Sequence, residues 1–143
     1  MNRSEVPRHS RPELAGGFTL IELVIVIAVV AILAVLAVNS YRSTVVKARR
    51  TAAKGCVQEG AQSMERFYTL NLKYTGASLP VCSSDVTQYY TLQFNGSPDS
   101  TTYIVQAVPQ GAQSTDDANC GTLAIDQTGT KTISGTSTVA ECW

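Results

Sequence analysis

Residues 18–38, FTLIELVIVIAVVAILAVLAV, hold fifteen Phe, Leu, Ile or Val and four Ala, with Thr19 and Glu22 as the polar members. As a helix, such a run of 21 residues rises about 31 Å, close to the ~30 Å of a bilayer's hydrocarbon layer. Large apolar side chains in this number favour insertion by roughly 5 to 9 kcal/mol, against about 3 for a central charge and less for one near an end. Glu22 therefore does not prevent spanning. It is nevertheless costly in that medium unless it is paired or reaches out to the membrane edge.

The 17 residues ahead of the run, MNRSEVPRHSRPELAGG, are polar and carry Pro7, Pro12, Arg3, Arg8 and Arg11. A secretory signal has a shorter apolar core with a small-x-small cleavage site behind it. Here the glycine pair Gly16-Gly17 precedes the core, so residues 1–17 read as a dispensable leader. A cut after Gly17 makes Phe18 the new N-terminus and keeps the apolar helix. Counting flanking Lys and Arg alone, five after the span against three before it, places the C-terminal part in the cytoplasm. The cysteines argue for the opposite side.

Those cysteines, Cys56, Cys82, Cys120 and Cys142, have no CxxC spacing, and the only histidine, His9, lies in the leader. A zinc site lacks ligands, whereas an even cysteine count in a small domain fits disulfides in an oxidising compartment. Three pairings are open. Cys56 with Cys82 and Cys120 with Cys142 is the expected one, because each joins sequence neighbours across one loop. Each bridge stabilises by roughly 3 kcal/mol on the chain-entropy model.

Beyond Asn39 apolar or small residues recur at Val45, Ala48, Ala52, Cys56, Gly60, Met64 and Phe67, one face of a helix. Residues 18 to about 70 are thus expected as one helix, apolar all round in its first half and amphipathic in its second. Gly55 and Gly60 mark sites of bending or close packing. After Phe67 the pattern changes to period two: Tyr90, Leu92 and Phe94; Tyr103, Val105 and Ala107; Leu123 and Ile125; then TKTIS. Asn95-Gly96 with Pro98, and Gln127-Thr128-Gly129, supply the turns. Short turns make the sheet antiparallel, and its apolar face matches that of the helix, giving an α+β domain.

Formal charge is zero, so charge balance nominates no partner. With His9 discarded, no histidine is left for acid-base work, Asp99, Asp116, Asp117 and Asp126 read as solvated turn residues, and no phosphate-binding glycine motif occurs. No enzyme, cofactor, metal site or small-molecule substrate is expected. Arg42, Lys47, Arg49, Arg50 and Lys54 form a possible contact for DNA phosphates or anionic headgroups. A solvated helix face is the favoured reading, because Tyr41 is the one aromatic close by and base stacking wants several. Beyond Lys54 there are Arg66, Lys73 and Lys131 against eight acids, a poor phosphate field.

GFTLIELVIVIAVVAILAVLAVNSYR resembles the N-terminus of type IV pilins and pseudopilins. MERFYTLNLKYTG, TTYIVQAVPQG, CGTLAIDQTGTKTISG and ECW resemble the minor pilins of Gram-negative type IV pili. The likeness covers most of the chain after the leader and is weakest from Ala77 to Gln88. It implies a type IV pilin fold, a long N-terminal helix packed on an antiparallel sheet of about four strands. It further implies a leader peptidase acting at Gly16, Gly17 and Phe18, and methylation of the Phe18 amine. Glu22 would then pair with the amine of a neighbouring subunit during assembly, and Cys120 and Cys142 would close a surface loop. The resulting division is 1–17 leader, 18–40 membrane and filament-core helix, 41–143 periplasmic or extracellular domain. Implied partners are other pilin subunits, the prepilin peptidase/methylase, the inner membrane and the assembly machinery; DNA is possible but not favoured. The implied location is the inner membrane, then a cell-surface filament. The implied function is that of a minor pilin serving adhesion, twitching motility or DNA uptake, with a DNA-binding competence pilin or a major pilin as alternatives. Pilins usually have glycine where this chain has Ala31 and proline where it has Asn39, so this helix is expected to continue through both.

Overall fold

The computed structural model describes residues 17–143; Gly16 and the rest of the expected leader lie outside the described residues. Helix α1 runs Leu20–Asn71 and contains no proline. The Thr19 hydroxyl accepts the amide of Glu22 at 3.2 Å, satisfying one orphan donor of the first turn. At the far end Leu72 adopts φ 54°, and its amide donates to the Tyr68 carbonyl at 2.7 Å. That left-handed residue closes the helix where glycine is usual, at a cost of about 1 to 2 kcal/mol. The helix is unbroken at Ala31, Asn39, Gly55 and Gly60. The contacts of the chain divide it after Val38, and the two parts are described separately.

In the part from Asn39 on, α1 is followed by α2 (Ser84–Thr87), β1 (Tyr90–Phe94), β2 (Ile104–Pro109), α3 (Ala112–Asp116), β3 (Leu123–Asp126), β4 (Lys131–Ile133) and α4 (Val139–Cys142). The strands form one antiparallel sheet in the order β1-β2-β3-β4. Cα partners place Leu92, Ala107, Leu123 and Ile133 in one row across it, and Phe94, Val105, Ile125 and Lys131 in the next. Both rows share a face, because they lie two residues apart along each strand. This is the α+β pilin arrangement the sequence implied.

The face of α1 that meets the sheet carries Arg50, Ala53, Cys56, Val57, Gly60 and Met64. It is rotated from the expected one, since Ala48 and Ala52 are exposed and Arg50 is buried. Alanine loses little by exposure, whereas Val57 and Met64 lose all contact with water against Tyr90, Val105 and Leu123. Gly60 permits that approach: a Cβ there would lie 3.1 Å from Val105 Cγ1, while one at Gly55 would meet nothing within 4 Å. At the β3–β4 turn Asp126 accepts the amides of Thr128 at 2.8 Å and Thr130 at 2.9 Å, and Gly129 supplies the φ of 79°. The Thr128 hydroxyl first, then those amides, holds the Asp126 carboxyl below its ordinary range.

Candidate assembly segment and basic face

All fifteen large apolar side chains from Phe18 to Val38 are exposed, none less than 46%. In water that exposure forgoes on the order of 20 to 45 kcal/mol of gross burial, so the segment belongs in lipid or against other chains. Glu22 sits in the first turn of α1, where the positive end of the helix favours a carboxylate by about 0.3 to 1 kcal/mol. Phe18 lies just before that turn and is 86% exposed. Among the described residues no group of three or more His, Cys, Asp and Glu is placed to hold a metal ion.

In the other part, the structure joins Cys56 to Cys82 and Cys120 to Cys142, with Cα separations of 5.8 and 5.6 Å. The first bridge ties α1 to the segment before α2. The second ties the loop after α3 to α4, whose start is a capping box: the Thr138 hydroxyl accepts the Glu141 amide, and the Glu141 carboxylate accepts that of Thr138.

The five basic residues of the 42–54 stretch do not act alike. Arg50 points inward, donates to Asp117 Oδ1 at 3.0 Å and touches the sulfurs of Cys120 and Cys142. The other Asp117 oxygen accepts from the Tyr90 hydroxyl at 2.9 Å and from Gln113 Nε2 at 3.2 Å, and Gln113 also donates to the Val46 carbonyl of α1. Burial raises the Tyr90 pKa above its ordinary value, against the opposing pull of Gln113. Four elements are thus fastened by one polar knot, and Arg50 is neutralised within it.

Arg42 and Lys47 remain exposed on one wall of a groove of about 630 Å³ that Asp116 and Glu141 face from the other side. Arg49 lies over the Tyr89 ring, 3.7 Å from its centroid. Lys54 donates to a main-chain oxygen of Trp143, the last residue, at 3.1 Å, and Lys131 Nζ stands 4.9 Å from the centre of the Trp143 ring. Arg49 and Lys54, five residues apart on a helix, project about 140° from one another, one toward Tyr89 at the β1 edge and the other toward Trp143 beside β4. The expected lack of aromatics near the basic run is therefore corrected: Tyr89 and Trp143 arrive from distant sequence.

A family model described as type IV minor pilin ComP, DNA uptake sequence receptor, matches residues 39–124. A second, the prokaryotic N-terminal methylation motif, matches residues 15–38. The chain belongs to the type IV minor pilins. Among solved structures, a type IV pilin from Shewanella oneidensis shares 28% identity over 68% of this chain and 97% of its own, with a TM-score of 0.53. The non-core minor pilin PilV of Neisseria meningitidis shares the fold at 19% identity, over 65% of this chain and 90% of its own, with a TM-score of 0.50. Comparison with curated proteins found no match. As a pilin, this is a structural protein whose partners are other pilin subunits and the assembly machinery. The methylation motif and the exposed apolar helix fit anchoring in the inner membrane, then assembly into a pilus at the cell surface.

The polar knot of this minor pilin was not legible beforehand, because Arg50 and Asp117 are 67 residues apart and each reads locally as a surface charge. The Thr138-x-x-Glu141 spacing, by contrast, is a helix-start signal that a closer reading finds. Arg50→Met leaves the Asp117 carboxylate buried and uncompensated and is expected to cost about 3 to 5 kcal/mol. Arg50→Met with Asp117→Leu is expected to cost clearly less. Thermal unfolding of the full chain in detergent checks both, and equal losses for the single and double variants would contradict the knot.

Proposed function

We propose that this minor pilin is matured by cleavage after Gly17 with methylation of Phe18, and is held in the inner membrane by residues 18–40. It enters the fibre when Glu22 of one subunit pairs with the Phe18 amine of another. Gly17 supports the first step. Among the described residues an added Cβ there would meet nothing within 4 Å, so their packing gives no reason for glycine, whereas a tight peptidase subsite does. For the last step, moving an apolar helix from lipid into a filament core gains little, because lipid tails are as apolar as leucine. A charge pair in low dielectric is what distinguishes one register from another. Near the end of the span an unpaired carboxylate costs less than the roughly 2.5 to 3.5 kcal/mol of a central one, and the helix-end position of Glu22 offsets part of that cost. Glu22→Ala is expected to insert at least as well as wild type yet to fall severalfold in sheared filaments, measured by immunodetection against the membrane pool. Equal filament content would remove the pairing role.

The domain from residue 41 to 143 is, in this reading, the part that receives DNA, and no catalytic role is assigned to it. The observation that carries this is the acid-free basic stretch 42–54 with Tyr89 and Trp143 set against two of its cations. The match to a family described as a DNA uptake sequence receptor supports it. The mixed charge of the Arg42–Lys47 groove and a formal net charge of zero make the attraction local and moderate. With about four phosphate contacts, affinity is expected to fall roughly a hundredfold between ~50 and ~200 mM salt. A gel-shift of the protein with duplex DNA at both concentrations reads this. No retardation at the lower one, or retardation indifferent to salt, would overturn it.

A further inference from the structure

We propose that the free edge of β1, with the segment Leu79–Cys82 beside it, is a docking groove in which an extended, uncharged peptide of another protein adds a fifth, antiparallel strand to the sheet. β1 is an outer strand of the order β1-β2-β3-β4, so one of its edges has no neighbouring strand. The bonds at its two ends fix which backbone groups face that edge. The Tyr89 carbonyl accepts the Gln110 amide at 2.8 Å, and the Asn95 amide donates to the Ile104 carbonyl at 3.0 Å. Inward-facing residues alternate along an antiparallel pair, so Thr91, opposite Val108, and Gln93, opposite Gln106, also bond to β2. Tyr90, Leu92 and Phe94 therefore aim their amides and carbonyls away from β2, and among the described residues no other backbone group bonds to them.

A groove of about 320 Å³ lies along this edge, with Leu79, Pro80, Val81 and Cys82 on one wall and Tyr90 and Leu92 on the other. The first wall is anchored to α1 by the Cys56–Cys82 bridge and by Leu79, which packs over Gly60 together with Leu92. It runs beside β1 without a backbone hydrogen bond to it, and its Val81 side chain is 92% exposed. The strand is held from behind, since Tyr90 is fully buried and Leu92 and Phe94 pack against the core. Its edge is thus presented in a fixed shape, and little ordering is lost on binding. Sheets guard such an edge with lysine, proline or a bulge; YTLQF has neither residue and pairs with β2 residue for residue.

The walls define the chemistry of the occupant. No charged residue lines the groove, so a phosphate finds no partner there, and a charged side chain would lose water with nothing to offset it. The unpaired ladder takes alternating N–H and C=O groups from an extended chain, and the apolar walls take its alternate side chains. Residues 1–17 are the wrong segment, because Pro7 and Pro12 lack donors and Arg3, Arg8 and Arg11 are charged. A second copy is ill suited as well. Antiparallel pairing of two β1 edges turns on a two-fold axis through the sheet, which would reverse α1 and point the two apolar helices in opposite directions, whereas chains held in one membrane share a direction.

Amide hydrogen exchange of the full chain in detergent, read residue by residue by NMR, tests this with the capped peptide acetyl-Thr-Val-Thr-Val-Thr-amide as the probe. Without peptide, the amides of Tyr90, Leu92 and Phe94 are expected to exchange much faster than those of Thr91 and Gln93, which β2 protects. At a peptide concentration about ten times its Kd they are expected to slow about tenfold. With its valines on the apolar side, an antiparallel added strand turns the valine amides toward β1 and the threonine amides away. N-methylation of the two valines is therefore expected to abolish the protection, and N-methylation of the threonines to leave it. Any other ranking of the two methylated peptides would overturn strand addition, as would no slowing at ~10 mM of the parent peptide. Val81→Lys is expected to weaken the peptide severalfold with the Tm unchanged, and undiminished binding would overturn the groove. Protection of these amides that rises with protein concentration alone would assign the edge to a second copy, and protection by duplex DNA would assign it to DNA; either overturns the peptide as partner.

Discussion

A helix that is apolar on every side as far as Val38, and on one side after it, sets two different problems for covering its surface. The second half finds its cover within the chain. Ala53, Val57, Gly60 and Met64 turn toward Tyr90, Val105 and Leu123, and close-packing is possible because Gly60 has no side chain to hold Val105 away. The first half finds none, and every large apolar residue from Phe18 to Val38 stays exposed. Lipid, and later the helices of other subunits, complete what one sheet cannot. The requirement for a membrane stage and a filament stage follows from that imbalance and from membership of the pilin family.

Apolar matching alone would let the sheet slide along the helix. The Arg50–Asp117 pair, with Tyr90, Gln113 and the Cys120–Cys142 bridge around it, supplies fixed points. Polar bonds in a buried setting are directional and costly to leave unmade, so they select one placement among many of similar apolar area. The same knot withdraws one cation from the surface, which leaves Arg42, Lys47, Arg49 and Lys54 to define its charge. Fold and function are coupled there: the residue that looks most like part of a basic patch is the one that holds the domain together.

Much of the fold was legible because its signals are local. The span from Phe18, the three-and-four spacing through Met64, the alternation in β1 to β3 and the Asp126–Gly129 turn each express a short-range rule. The helical face was read about one residue off, since Ala48 and Ala52 look apolar on any scale but are too small to demand burial. The basic face was read less well. Its character depends on Tyr89, Lys131 and Trp143, which come from the two edges of the sheet and carry no mark of proximity to residues 49 and 54. Seen without them, the stretch passed for a solvated helix; the proposal that this face receives DNA rests on them.

The central claim is that the apolar helix survives maturation intact and begins at a newly made amine beside Glu22. N-terminal sequencing and peptide mass analysis of the subunit recovered from sheared filaments test it directly. The account predicts a chain starting at Phe18, its amine methylated, continuous through Val38. A filament-borne subunit that starts beyond the apolar segment, or still carries residues 1–17, would contradict it.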